Sequence, residues 1–275
     1  YEKMKMSLND ITPEKLEKGI YKKYSFLKDQ IEVSETTNSL ILPISIQETS
    51  SQTVFRKSPE SKKTIIKGMN SNGINEFFST GDMLGTVLQD VFTNVNIYDD
   101  EIRLLQRRFT SPIAKEGLNF YKYYLMDTLT VDRDTCVHLT FVPQNSQDFG
   151  FTGHLYVLKD STYAVKKCVM NLPKKTGVNF VNQLDIVQQY EQLPNGNWVL
   201  MDDDMLVDLS LVKSMGGLQV QRTTKYSNYK FDPIEQRLFR LKGSVIKEAD
   251  MLSKSDEYWA CLLYTSPSPR DISGS

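Results

Sequence analysis

From residue 119 to residue 229 the chain is a succession of short β-prone runs separated by turn-forming clusters, and this feature restricts the fold more than any other. Asn119 to Thr128 carries Phe120, Tyr121, Tyr123 and Tyr124. Thr135 to Val142 alternates Cys136, His138 and Thr140 with Val137, Leu139 and Phe141, the period of a half-buried strand. Gly153 to Leu158 and Tyr163 to Met170 flank the polar turn Lys159-Asp160-Ser161-Thr162. Leu184 to Leu193 and Trp198 to Met201 flank Pro194-Asn195-Gly196-Asn197, whose Asn-Gly step favours positive φ. Val207 to Leu211 and Val220 to Tyr229 supply further strands. Strands joined by turns this short pair with their neighbours, which gives an antiparallel meander.

The first third reads differently. Over Thr12 to Ile31, Leu16, Ile20, Tyr24, Leu27 and Ile31 recur at three- and four-residue steps behind a capping Thr12 and a first-turn Pro13, which predicts an amphipathic helix. A second helix is predicted over about Thr80 to Asn94, where Met83, Leu84, Val87, Leu88, Val91 and Phe92 share a side, with Gly81 and Gly85 weakening its start. Between them, Asn38 to Thr49 is a short apolar run interrupted by Pro43, suited to an edge strand, and Gln52 to Lys67 is polar and strand-like with a break at Ser58-Pro59. The expected fold class is therefore α+β: an antiparallel, curved, half-barrel-like sheet with N-terminal helices packed on one face.

The totals remove several functions. With 33 Lys+Arg against 34 Asp+Glu the formal net charge is −1, so no global field draws nucleic acid or an anionic membrane, and no nucleic-acid partner is expected. No run of about eighteen apolar residues is present to span a bilayer as a helix. The two histidines, His138 and His154, do not form a His-Glu-x-x-His pair, and in strand-like runs they read as structural. No Gly-x-Ser-x-Gly turn offers a serine nucleophile. Asp202-Asp203-Asp204 and Asp99-Asp100-Glu101 lack the alternation and glycine of a calcium loop and read as solvated turns or strand ends. Gly216-Gly217 is a turn without the Lys-Ser/Thr of a phosphate cradle. Cys136, Cys168 and Cys261 show no zinc spacing; Cys136 and Cys168 are expected as buried free thiols, with a disulfide the other option. No catalytic, cofactor-binding or metal-binding residue is assigned, and the aromatics on strands read first as core and second as the wall of an apolar groove.

Several segments, in order, resemble a family of Gram-negative envelope proteins of unknown function labelled carboxypeptidase-like regulatory-domain proteins. They are Tyr1-Glu2-Lys3-Met4, Leu42-Pro43-Ile44 with Glu48-Thr49, Arg56-Lys57-Ser58-Pro59, Ile65-Ile66-Lys67-Gly68 and Ser111-Pro112-Ile113-Ala114. Further on stand Phe141-Val142-Pro143, Phe151-Thr152-Gly153-His154-Leu155-Tyr156, Tyr163-Ala164-Val165-Lys166-Lys167 and Asn179-Phe180-Val181. The resemblance covers roughly Tyr1 to Trp259. It implies a signal peptide, a small immunoglobulin-like domain, a periplasmic region like this chain, and a C-terminal outer-membrane β-barrel; it implies no peptidase activity. At the level of fold, the meander also resembles the half-barrel of periplasmic lipoprotein carriers.

After Ala260, Cys261 to Asp271 resembles the translation of a sequencing adapter, so residues 261–275 are expected to be a non-native tail and residues 1–260 an α+β periplasmic region incomplete at both ends of its parent. The expected function is a non-catalytic module, at the periplasmic face of the outer membrane, that supports or docks on its own barrel domain. The alternative is the binding or carrying of an apolar envelope ligand such as a lipid or a lipoprotein acyl chain.

Overall fold

In the computed structural model, residues 1–34, 37–73, 92–172, 181–212 and 216–265 are described. They form one sheet of twelve strands and a separate two-stranded hairpin. The strands are β1 (Glu2–Asn9), β2 (Glu32–Val33), β3 (Leu40–Arg56), β4 (Ser61–Gly73), the hairpin pair β5 (Glu101–Leu104) and β6 (Arg107–Thr110), β7 (Tyr121–Val131), β8 (Asp134–Pro143), β9 (Thr152–Leu158), β10 (Val165–Leu172), β11 (Val181–Gln192), β12 (Trp198–Val212), β13 (Gly216–Lys225) and β14 (Val245–Lys247). The spatial order is β14-β4-β3-β1-β13-β12-β11-β10-β9-β8-β7, with β2 paired to β3, so β7 and β14 stand at opposite ends and the sheet is open. Every pairing is antiparallel except β14 with β4.

The meander from β7 to β13 is as the turn signals predict, but the fold class is not. The protein is mostly β, 53% strand against 14% helical, and no N-terminal helices pack on a face of the sheet. The segment from Thr12 to Ile31 begins as expected: Thr12 Oγ1 accepts from the Lys15 N–H, and Pro13 opens a helix, α1 (Pro13–Leu16). That helix ends after four residues because Gly19 sits at φ +60°, and the chain continues as a 3-10 segment from Gly19 to Gln30. The apolar spacing still works at the level of single residues, since Leu16, Tyr24 and Leu27 are buried in the core. The helix expected over Thr80 to Asn94 lies, except for residues 92–94, outside the described residues.

Two strand assignments also change. β3 is interior, flanked by β1 and β4, although Pro43 argued for an edge. The proline is absorbed where the β1–β3 register shifts between Met6 and Ser7, a bulge that relieves the ladder of the missing N–H. Asp202, Asp203 and Asp204 are neither turn nor strand end: they lie within the fifteen-residue β12, and Asp203 is buried.

Strand register sorts the side chains into two faces. One row across β8, β9, β10, β11, β12, β13 and β1 runs Phe141, Gly153, Met170, Ile186, Met205, Arg222, Met4. This is the core face, and a chain segment outside the sheet covers it through Val95, Ile97, Ile102, Leu104 and Phe109. Tyr121, Phe141, Phe109 and Phe151 stack edge-on or tilted within it, so these aromatics serve the core. Cys136 and Cys168 are free and buried. They lie on strands separated by β9, opposite Leu158 and Leu155 and so roughly 14 Å apart in the sheet, and point to opposite faces, which precludes a disulfide.

Candidate functional site

The opposite face carries the row Thr140, His154, Val169, Val187, Asp204, Thr223 and, beside it, His138, Tyr156, Lys167, Gln189, Asp202, Lys225. Here the two histidines of the chain meet. β8 and β9 place Thr140 opposite His154 and His138 opposite Tyr156, so the imidazoles are diagonal neighbours, and β7 brings Asp127 opposite His138.

The side chains make a continuous polar line. His138 Nδ1 lies 3.0 Å from Asp127 Oδ1, and its Nε2 lies 2.9 Å from His154 Nδ1; Thr140 Oγ1 is 3.3 Å from the same His154 nitrogen. The carboxylate can only accept, so the hydrogen of that contact sits on His138 Nδ1. The Tyr156 ring stacks on His138 at 4.7 Å with an interplanar angle of 7°, and the Lys167 ammonium lies 5.9 Å from the Tyr156 ring centre. Burial, with a contribution from His138, holds the His154 imidazole below its ordinary pKa. The His138 side chain is 15% exposed and that of Asp127 61%, so the line runs from solvent into the half-buried surface of the sheet. Sequence alone assigned these histidines structural roles separately; their meeting depends on the β7–β8–β9 register, for which no local signal exists.

Next to this line the sheet ends. Among the described residues β7 has no strand on its outer side, and Tyr124, Leu125 and Met126 are consecutively exposed, with Leu125 at 71%. A register shift between Leu125 and Asp127 puts Met126 in a bulge. Leu118, in the short helix α2 (Gly117–Phe120) just before β7, is exposed as well.

The remaining sequence candidates lie elsewhere. Asp203 forms a buried ion pair with Arg222 in the core, described below. One Asp204 carboxylate oxygen is buried without a partner, and burial raises its pKa. Asp99, Asp100 and Glu101 line or flank the turn before β5: Asp100 Oδ1 accepts from the Lys115 N–H and Glu101 pairs with Arg108. Gly216-Gly217 opens β13. Among the described residues no group of three or more His, Cys, Asp or Glu is placed to hold a metal ion, and no helix is long and apolar enough to cross a membrane.

A family model described as a family of unknown function, DUF5686, matches residues 1–229. The chain belongs to this family. The envelope family expected from the motifs is thereby met in its coarser part, a family of unknown function; the carboxypeptidase-related label is not part of the match. No curated protein matches the chain. Two solved structures are similar over most of their length. One, a domain described as an outer membrane lipoprotein-sorting protein from Vibrio parahaemolyticus, is 9% identical, with 87% of this chain and 89% of that chain covered and a TM-score of 0.28. The other, a DUF1329 family protein from Desulfovibrio piger, is 12% identical, with 81% and 83% covered and a TM-score of 0.24. At these scores the likeness carries no argument about fold or ligand.

Proposed function

We propose that this DUF5686 chain is a non-catalytic docking module of the cell envelope, which adds the free edge of its sheet to a protein partner, the outer-membrane β-barrel domain of the same polypeptide, at the periplasmic face of the membrane. The observation that carries this reading is β7. An open edge is a row of unpaired backbone N–H and C=O groups, which natural sheets blunt with charge, proline, bulges or covering chain. The far edge is covered: β14 pairs with Thr64 to Ile66, Met251 O accepts from the Met69 N–H, and Tyr258, in the helix α3 (Asp256–Thr265), hydrogen-bonds Ser50. β7 has its bulge and the charges of Lys122 and Asp127, and between those two charges it turns three large hydrophobic side chains to solvent in succession, the pattern of a strand that receives another. In the full-length protein in membranes, a photo-crosslinker at position 125 is expected to capture the barrel. Leu125→Lys with Met126→Lys is expected to lower that capture about tenfold while changing chain stability by only about 0.5 kcal/mol, as exposed positions do. Unchanged capture, or none from the native strand, sinks the reading.

A second reading, an apolar envelope ligand such as a lipid or lipoprotein acyl chain, is supported by the cover of the core face. That cover is a segment outside the sheet, tied down by side chains to its backbone carbonyls, and lifting it would bare Met170, Ile186, Met205 and Val207. Native mass spectrometry of periplasmically expressed chain, followed by lipid extraction, is expected under this reading to find near-stoichiometric lipid; an empty folded protein removes it.

A further inference from the structure

The net charge of −1 conceals an uneven distribution. Residues 55–63, at the tip of the β3–β4 hairpin, and residues 235–247, which pack on it, together hold eight Lys and Arg against two Asp and Glu, so one end of the sheet carries a formal +6 in a chain whose total is −1. The two segments are tied to each other. Arg56 Nη1 donates to Gln236 Oε1 at 2.9 Å, and its guanidinium lies 4.5 Å from the centre of the Phe239 ring, both in the single helical turn Gln236–Arg240. Lys63 Nζ donates to Leu241 O at 2.8 Å, and Val245 opens the parallel pairing of β14 opposite Thr64. Register then decides what shares a face. Lys62 stands opposite Phe55, and Thr53, Thr64 and Val245 stand side by side two residues along, so Phe55, Lys62, Val245 and Lys247 project from one face. Phe55, Leu241 and Val245 are each at least 42% exposed. Lys57, Lys62, Arg240 and Lys242 are exposed and have no acidic partner among the described residues.

We propose that this end of the sheet is a membrane-contact surface, which seats on a lipid bilayer whose phosphate headgroups carry net negative charge. The choice of lipid over other polyanions rests on the apolar residues. Phe55 has a ring that could stack on a base, but Leu241 and Val245 do not, so a nucleic acid leaves them in water. A protein interface gathers its apolar side chains into a centre depleted of charge, whereas here they are scattered among the cations. That mixture suits a headgroup layer, where apolar side chains enter the acyl boundary while the stems of Lys and Arg reach back to phosphate. Lysines on a sheet edge also discourage strand addition, but β14 already covers this edge, and that role leaves the exposed Phe55, Leu241 and Val245 without a purpose. β4 and β14 lie at the other end of the sheet from β7, so contact with lipid does not compete with the addition of a strand, and the inference stands whether or not β7 docks.

Flotation of the full chain with phospholipid vesicles tests the surface. Vesicles of phosphatidylcholine with phosphatidylglycerol are expected to carry the chain upward and vesicles of phosphatidylcholine alone to leave it behind, with salt weakening the binding as exposed charges are screened. Each Lys or Arg near an anionic surface is worth about fivefold in partitioning, so Lys62→Gln with Lys242→Gln is expected to lower binding about 25-fold. Phe55→Ser is expected to lower it about tenfold, at high salt as well as low. All three positions are exposed, so the variants stay folded. Equal binding to both kinds of vesicle, or undiminished binding by the double variant, overturns the proposal. So does binding that falls with the two lysines, ignores Phe55→Ser and is matched by a single-stranded oligonucleotide, the behaviour of a surface that takes any polyanion.

Discussion

Replacing Arg222 by Ala is expected to destabilise the protein by about 4 kcal/mol, because it strands a buried carboxylate without its cation. Arg222 and Asp203 are 5% and 2% exposed and bond at 2.9 Å from Nη2 to Oδ2. The pair sits in a larger network: Gln188 donates from Nε2 to Asp203 Oδ1 and to Val95 O, Tyr190 donates to Gln188, and Arg222 Nη1 donates to Phe92 O. The network is thus both the charge pair of the core and the tether that holds the covering segment to the sheet. Equilibrium urea unfolding measures the loss, and amide hydrogen exchange is expected to quicken over residues 92–97 first, since the guanidinium that donates to the Phe92 carbonyl is gone. The double variant Arg222→Met with Asp203→Leu is expected to recover much of the stability, as apolar replacement of a buried pair commonly does, without restoring the tether. A single-variant loss below about 1 kcal/mol would mean that water reaches the pair and that the network is not what holds the cover.

Gly153→Ala is expected to cost about 3 kcal/mol, about 8 °C in melting temperature for a domain of this size. Gly153 is an interior strand residue with ordinary φ, so conformational freedom is not the reason for a glycine here. A Cβ at this position would press into the carbonyl oxygen of Val169 on β10 and meet the Phe141 ring on β8 at 3.1 Å. Backbone on one side and a fully buried ring on the other cannot yield without opening the β9–β10 ladder or tilting Phe141 out of its contact with Tyr121. Gly196, at φ +86° in the β11–β12 turn with nothing near its missing Cβ, is the control: its substitution costs backbone strain only, about 1 kcal/mol. Thermal unfolding that ranks the two the other way would show that the strands part to admit a methyl group.

What the sequence by itself determined is local. Period-two alternation and polar turns located β8 to β11, and the Asn195-Gly196 step marked a turn correctly, because a strand in such a meander pairs with the next one along the chain and needs no distant information. Thr12 and Pro13 marked a true helix start for the same reason. The residues that went unread depend on distant partners. β1 alternates Met4, Met6 and Leu8 with Lys3, Lys5 and Ser7, a faint signal whose weight comes from β13, more than two hundred residues away, and from β3. The β5–β6 turn uses Leu105 and Gln106 at positive φ, with no glycine to announce it. The periodicity over Thr12 to Ile31 described burial but not helix type, because Gly19 ends the α-helix and tertiary contact alone keeps Tyr24 and Leu27 inside.

The tertiary structure decided the rest by register. Asp203 reads as solvated until Arg222 is brought beside it from the next strand, and charge is tolerated in a core only when its partner arrives. His138 and His154 lie sixteen residues apart in sequence and 2.9 Å apart in space, because two antiparallel strands of fixed register set them on one face. A shift of one residue in that pairing would turn one imidazole into the core and leave Asp127 without a partner. The chain order therefore tells which segments are strands, while only the assembled sheet decides which side chains share a face, and the binding surfaces proposed for this protein lie in that second step.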